Sequence, residues 1–158
     1  MQEYLYHVDS KDNVLGKIER NLAHQNKLLH RAGIVLVFNS KGELFLTNRS
    51  PEKKIFPNCV DTACSFHVKY GQTYEEAAAQ ELLEETRIKA TPQYLKTFLQ
   101  DEDPDHMMVA MFKLIHDGKI ELDPAEATSG EFYTLEEAKK LVKKKKPTHW
   151  LRKALELI

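Results

Sequence analysis

Apolar and polar positions alternate along most of the chain with the two-residue period of half-buried strands, broken by three stretches with helical spacing. Tyr4–Val8 and Val14–Ile18 read as a short hairpin about Asp12-Asn13. Ile34–Phe38 and Leu44–Asn48 are strands joined by the turn residues Asn39-Ser40-Lys41-Gly42. Val60–Val68 is an extended segment. Leu95–Gln100 is a strand, followed by a polar loop over Asp101–Asp105. Met107–His116 is an apolar run suited to a buried strand. Asp117-Gly118 is a hairpin turn signal, so Lys119–Leu122 is expected to return as a further strand. Glu131–Tyr133 is a short strand. Tyr74–Thr86, Leu135–Lys143 and His149–Leu157 carry helical spacing. Strands interrupted by a few helices give an α+β chain, a mixed sheet flanked by helices in one domain over residues 1–158.

Bulk properties narrow the partners. The net charge of −1 supplies no overall attraction to nucleic acid or to an anionic membrane. The one basic block, Lys143-Lys144-Lys145-Lys146, reads as a solvated helix end before Pro147. The longest apolar run, Ala32–Phe38, is too short to span a bilayer. The N-terminal stretch lacks the basic-then-apolar order of a signal peptide. Cys59 and Cys64 form neither a CxxC pair nor a zinc-like set. A reduced, cytoplasmic setting is therefore expected.

The chemistry concentrates in GQTYEEAAAQELLEETRI, residues 71–88. Thr73 and Glu76 make a capping box, which starts the helix at Tyr74. Glu81, Glu84 and Glu85 stand at i, i+3 and i+4 and share one face. Lys89 is the helical counter-ion available to Glu85. Such a face is either an ordinary solvated acidic stripe or a platform for a hard divalent cation, which prefers carboxylate oxygens and retains several waters.

Residues 66–88 resemble the Nudix box: Gly, five residues, Glu, seven residues, then Arg-Glu-apolar-x-Glu-Glu-x-Gly-apolar. The matching positions here are Phe66, Gln72 and Gln80-Glu81-Leu82-Leu83-Glu84-Glu85-Thr86-Arg87-Ile88. Further segments are similar to the isopentenyl-diphosphate-isomerase-like branch of that superfamily: His24–Ala32, Val37–Ser50, Ile55-Phe56-Pro57 and Asp61–Val68. The resemblance covers roughly residues 4 to 140. It implies a Nudix-type α/β/α sandwich with a mixed β-sheet between helices. It also implies Mg2+-dependent (or Mn2+-dependent) cleavage of a small-molecule diphosphate, with Glu81, Glu84 and Glu85 as metal ligands and catalytic groups. Glu126 stands where an extra glutamate ligand or base is expected. The general base is then Glu84, Glu85 or Glu126. Arg49 is a phosphate-holding candidate through its planar fork, a surface ion pair being the alternative. Ser65, Phe66 and His67 are the substrate-side candidates. Oligomeric state is left open, a homodimer included.

Four positions depart from the box: Phe66 and Arg87 replace glycines, and Gln72 and Gln80 replace a Glu and an Arg. In the family that Glu and Arg form an ion pair orienting the helix. Losing one partner would strand a charge, but here both are amides, so a neutral amide-to-amide hydrogen bond is expected in its place. Arg87 is expected to carry left-handed strain. Phe66 either narrows the pocket or packs into the core. Trp150 is expected to anchor the C-terminal helix. His24, His30 and His67 resemble the histidine part of the isomerase metal site, packing being the alternative for the first two. The isomerase cysteine position falls at Ser65, and Cys64 reads as a small buried residue. The expected glutamate pair falls near Asp105 and Met107. Hydrolysis therefore ranks above isomerisation, and a Nudix-fold binding or regulatory protein is the rival of another class.

Overall fold

A computed structural model describes residues 2–158. The chain runs β1 (Tyr4–Val8), β2 (Val14–Glu19), α1 (Arg20–Gln25), β3 (His30–Phe38), β4 (Leu44–Arg49), β5 (Val60–Asp61), β6 (Cys64–His67), α2 (Tyr74–Thr86), β7 (Gln93–Glu102), β8 (Asp105–Ile115), β9 (Ala127–Tyr133), α3 (Leu135–Lys144) and α4 (His149–Leu157).

All nine strands join one mixed sheet, with β3 at its centre. On one side β3 pairs in parallel with β8 along its whole length, from His30↔Met107 to Phe38↔Ile115, and β7 continues antiparallel beyond β8. On the other side β3 pairs antiparallel with β6, through Ala32↔His67 and Gly33↔Phe66. The β3–β4 hairpin pairs only at Phe38↔Leu44. From there β4 diverges to pair with β5 and β9.

The side-chain period of two divides the core. Ile34, Leu36 and Phe38 of β3, with Val109 and Met111 of β8, point to one face. There they meet Ala138 of α3 and Trp150, Leu151, Ala154 and Leu155 of α4. Val35 and Val37, with Ala110 and Phe112, point to the other face and meet Ala77, Ala78 and Leu82 of α2. The expected layering of helix, mixed sheet and helix is thus present. Each fully buried leucine, such as Leu82 and Leu151, stabilises by about 1.5–3 kcal/mol.

Two local expectations change, and one element without a sequence signal appears. The loop over Asp101–Asp105 is a tight hairpin, because β7 and β8 extend to pair Glu102 with Asp105 around Asp103-Pro104. Arg20–Gln25 forms a short helix with Glu19 as its N-cap, its side chain accepting from the Leu22 N–H; it buries only Ala23 and so shows little apolar pattern. Lys119–Leu122 does not return as a strand. Its backbone is drawn to the carbonyls left free at the end of α2: the Glu121 N–H donates to the Thr86 oxygen at 3.0 Å, and the Asp123 N–H to the Glu85 oxygen at 3.2 Å.

Candidate active site

The first turn of α2 is built as expected. Thr73 Oγ1 accepts from the Glu76 N–H and the Glu76 carboxylate accepts from the Thr73 N–H, both at 3.0 Å. The helix ends at Arg87, whose φ of 61° is left-handed, so the strain expected at this non-glycine position is present. Phe66 packs into the core: it is 8% exposed, and a Cβ on Gly33 of the paired strand would lie 2.4 Å from its Cζ. A ring at position 66 therefore requires glycine at position 33. Gln72 and Gln80 do meet, with Gln72 Nε2 donating to Gln80 Oε1 at 2.6 Å.

Glu81 and Glu85 turn toward an open cleft of about 770 Å³, which Glu126, Arg49, Ser65, Phe66 and His67 also line. Glu84 stands on the exposed flank of α2, outside this lining. Burial, then the Glu84 charge, pushes the Glu81 carboxyl up to about 7. Glu85 is pushed well above the usual carboxylate range by burial, with Glu126 and Glu81 adding. It faces inward, where Cys64 Sγ donates to its Oε2 at 3.0 Å, and makes no ion pair with Lys89. Cys64 is the small buried residue expected, and it lies against a carboxylate. Burial and that charge push its thiol up, the opposite of nucleophilic activation.

Arg49 is committed within the protein. Its Nη1 donates to Asp61 Oδ2 at 2.9 Å, and its Nε and Nη2 donate to the Ile55 carbonyl. Asp61 is the organising carboxylate that sequence reasoning missed. It also accepts from the Thr62 N–H at 2.6 Å, Trp150 Nε1 at 2.7 Å and Ser65 Oγ at 3.2 Å. Trp150 thus anchors α4 as expected, and it does so to this carboxylate. Nothing in local spacing marks Asp61, because its partners come from β4, β6 and α4. Lys53 was also missed: it lies in the loop after β4, and its Nζ donates to Glu126 Oε2 at 2.7 Å inside the cleft. Arg20, Lys54 and Lys69 add cationic groups to the same walls.

His24 and His67, which line the same cleft, and the buried His30 bring one nitrogen each within 4.8 Å of one another, the one such group of potential ligands among the described residues. His24 Nδ1 faces the Arg20 carbonyl and His30 Nδ1 the Leu28 carbonyl, each at 2.9 Å. Each carbonyl accepts a hydrogen bond from Nδ1–H, which keeps that ring's proton on Nδ1 and leaves Nε2 of the neutral ring as a bare lone pair. Both Nε2 atoms are buried without a partner, as is Asp105 Oδ2. Asp105 Oδ1 is 3.6 Å from His24 Nε2, too long for a hydrogen bond. Burial holds His30 down at about 4 and His67 well below its ordinary range, so both are neutral at pH 7. The Asp105 carboxylate raises the His24 pKa instead. Two neutral imidazoles, the His24 ring and one buried carboxylate form a donor set for zinc, manganese or iron once His24 is deprotonated. Carboxylates that repel one another across solvent suit a hard ion with its own waters.

Comparison with known proteins agrees with this geometry. The chain is 32% identical to an uncharacterized Nudix hydrolase of Pseudomonas aeruginosa, over 88% of this chain and 85% of that protein. It is 33% identical to an isopentenyl-diphosphate Delta-isomerase of Serratia proteamaculans, over 82% of this chain and 75% of the other. The crystal structure of DR0079 from Deinococcus radiodurans superimposes with a TM-score of 0.85 over 98% of both chains, at 25% identity. The model of the NUDIX domain matches residues 28–155, which take in β3, the carboxylate helix and most of the cleft lining, and the chain belongs to the Nudix family.

Proposed function

We propose that this chain is a hydrolase that cleaves the phosphoanhydride link of a small organic diphosphate, nucleoside diphosphates included, in the cytoplasm. The observation that carries the proposal is one cleft in which Glu81, Glu85 and Glu126 face Arg20, Lys53 and Lys69. Carboxylates desolvated beside one another are poorly stable without a cation, and cationic walls suit phosphate oxygens. Mg2+ or Mn2+ would be held by Glu81, Glu84 and Glu85. When bound, it supplies charge neutralisation on the phosphate oxygens and acidifies bound water.

The chain's own groups do the rest. Lys53 exchanges Glu126 for a phosphate oxygen, freeing that carboxylate toward the cleft. A water oxygen forms the new bond to phosphorus, the bridging P–O bond breaks, and the leaving phosphate takes the electron pair. A cleft glutamate takes the water proton. Glu81, with a carboxyl near 7 before any cation arrives, joins Glu85 and Glu126 as a candidate for that role, while Glu84, outside the cleft lining, would reach the water only through the bound cation. Ser65 and His67 face the substrate, and Arg49 acts by holding Asp61 and the β4–β5 wall.

The histidine cluster favours one second reading, the isomerase. Its unpartnered Nε2 atoms support a bound transition metal. Against isomerisation stands the proton chemistry, which needs a donor and an acceptor across an alkene. Ser65 supplies no thiol, and Cys64 is 1% exposed and engaged with Glu85.

A Mg2+-dependent screen over nucleotide sugars, dinucleotides, nucleoside triphosphates and isoprenoid diphosphates, followed by phosphorus NMR, tests both. Native protein is expected to release phosphorylated products from at least one class, and Glu85→Gln to lose at least 100-fold in kcat, on the order expected when catalytic geometry is lost. No turnover in any class, with Mg2+ still bound, would leave a binding protein. Interconversion of isopentenyl and dimethylallyl diphosphate dependent on His67 would establish the isomerase instead.

A further inference from the structure

Gln72, Gln80 and Glu84 lie on a single line of hydrogen bonds that starts in the backbone and ends on a carboxylate. The Lys69 N–H donates to Gln72 Oε1 at 3.1 Å. Gln72 Nε2 donates to Gln80 Oε1 at 2.6 Å, and Gln80 Nε2 donates to Glu84 Oε1 at 3.1 Å. The two ends fix the sense of both amides. A backbone N–H can only donate and an ionised carboxylate only accepts, so each amide must turn its oxygen toward Lys69 and its nitrogen toward Glu84. The anchoring turn is itself closed, with the Gln72 N–H donating to the Lys69 carbonyl at 2.9 Å and Gly71 at a φ of 98°.

We infer that Gln72 and Gln80 are positioning residues that act as a one-way neutral relay, aiming the Glu84 carboxylate from the rigid turn before α2. Glu84 needs such a restraint. It is on the exposed flank of the helix, where its rotamers are otherwise free, and it is the one glutamate of the three that the cleft wall does not hold. A relay of amides restrains it without placing a cation beside it, so its full charge remains for an incoming metal. Gln80 alone touches Glu84, and Gln72 acts only by keeping the Gln80 oxygen turned away. Without Gln72, Gln80 is free to rotate its oxygen toward Glu84, and two acceptors then repel. The inference rests on the metal-binding part of the proposed function, and its test reads metal binding rather than turnover.

The test is a Mg2+ titration of isotope-labelled full-length protein, with affinity taken from the backbone amide signals of Glu81–Glu85, so that ions at the histidines do not enter. Gln80→Met is expected to weaken Mg2+ about two- to tenfold, the range of one modest hydrogen bond. Gln72→Met is expected to lose nearly as much, and the double variant no more than Gln80→Met alone. Glu75→Gln, on the same helix outside the relay, leaves the affinity unchanged. In the metal-free protein the Gln80 side-chain NH2 signals are expected to move on Glu84→Ala and on Gln72→Met. Additive losses, unchanged affinity in both single variants, or Gln80 side-chain signals that ignore Glu84 would each overturn the relay. So would α2 signals in the native chain that do not respond to Mg2+. Absence of hydrolysis with these affinities intact would reject the hydrolase and leave the relay standing.

Discussion

Glu81 shows how one position couples metal, proton and stability. Its carboxyl is raised from 4.5 to about 7 by burial and by the Glu84 charge. Between those values the folded chain binds a proton that the unfolded chain has released. Stability therefore falls as pH rises through that window, and the penalty is fully present above it. Glu81→Gln removes the penalty. In metal-free buffer the variant is expected to gain stability relative to the native chain from pH 5 to pH 8, read as a widening difference in urea midpoint. A constant difference would mean that Glu81 is not desolvated. For the same reason Mg2+ affinity is expected to rise with pH through about 7, as Glu81 releases its proton. At Arg49 the residue scale gives a different result. Its forked contacts hold Asp61, and the pair is 9% and 4% exposed. Asp61→Ala leaves a buried guanidinium without its counter-ion and is expected to cost about 3–5 kcal/mol in urea unfolding. A loss below 1 kcal/mol would show that solvent reaches the pair.

At the scale of elements, α2 carries both an asset and a strain. The capping box fixes its start, while Arg87 holds a left-handed φ of 61° at its end. Arg87→Gly is expected to stabilise the chain by about 0.5–1 kcal/mol, the relief of left-handed strain less the extra freedom glycine gives the unfolded chain. A thermal midpoint that falls would mean the Arg87 side chain makes a contact of greater worth. The box, its cap and the Gln72–Gln80 bond were legible because they are local: each partner lies within eight residues of the next. The strands with clear alternation, β3 and β4, were legible for the same reason. Lys119–Leu122 was not, because the free carbonyls that claim its backbone belong to the end of α2, more than thirty residues earlier. The fit of Phe66 against Gly33 was equally hidden, since it depends on the register between β3 and β6. Asp61 and Lys53 escaped notice because only the folded sheet and α4 bring their partners to them.

At the scale of the molecule, the parallel β3–β8 pair and the β3–β6 pair bring two chemically different centres to one cleft. Glu81 and Glu85 of α2 line it, as do His24, His67 and Asp105, with His30 packed against the other two imidazoles. Hard and softer donors sort ions by type, so the carboxylate set and the histidine set are expected to bind independently. His67→Ala removes one of three imidazoles and is expected to abolish the tighter of two Mn2+ sites, seen by calorimetry or paramagnetic resonance. Because Mg2+ is poorly held by nitrogen, the same variant is expected to retain Mg2+ binding at α2 within about twofold. Glu81→Gln is expected to give the converse pattern. The two readouts together separate the roles that a single activity assay would merge. If His67→Ala also removes Mg2+ binding at α2, the cleft holds one coupled cluster and the division into two centres fails. If the sites separate but hydrolysis persists in His67→Ala, the histidine set is dispensable to phosphoanhydride cleavage. Its retained ligand geometry would then serve substrate binding.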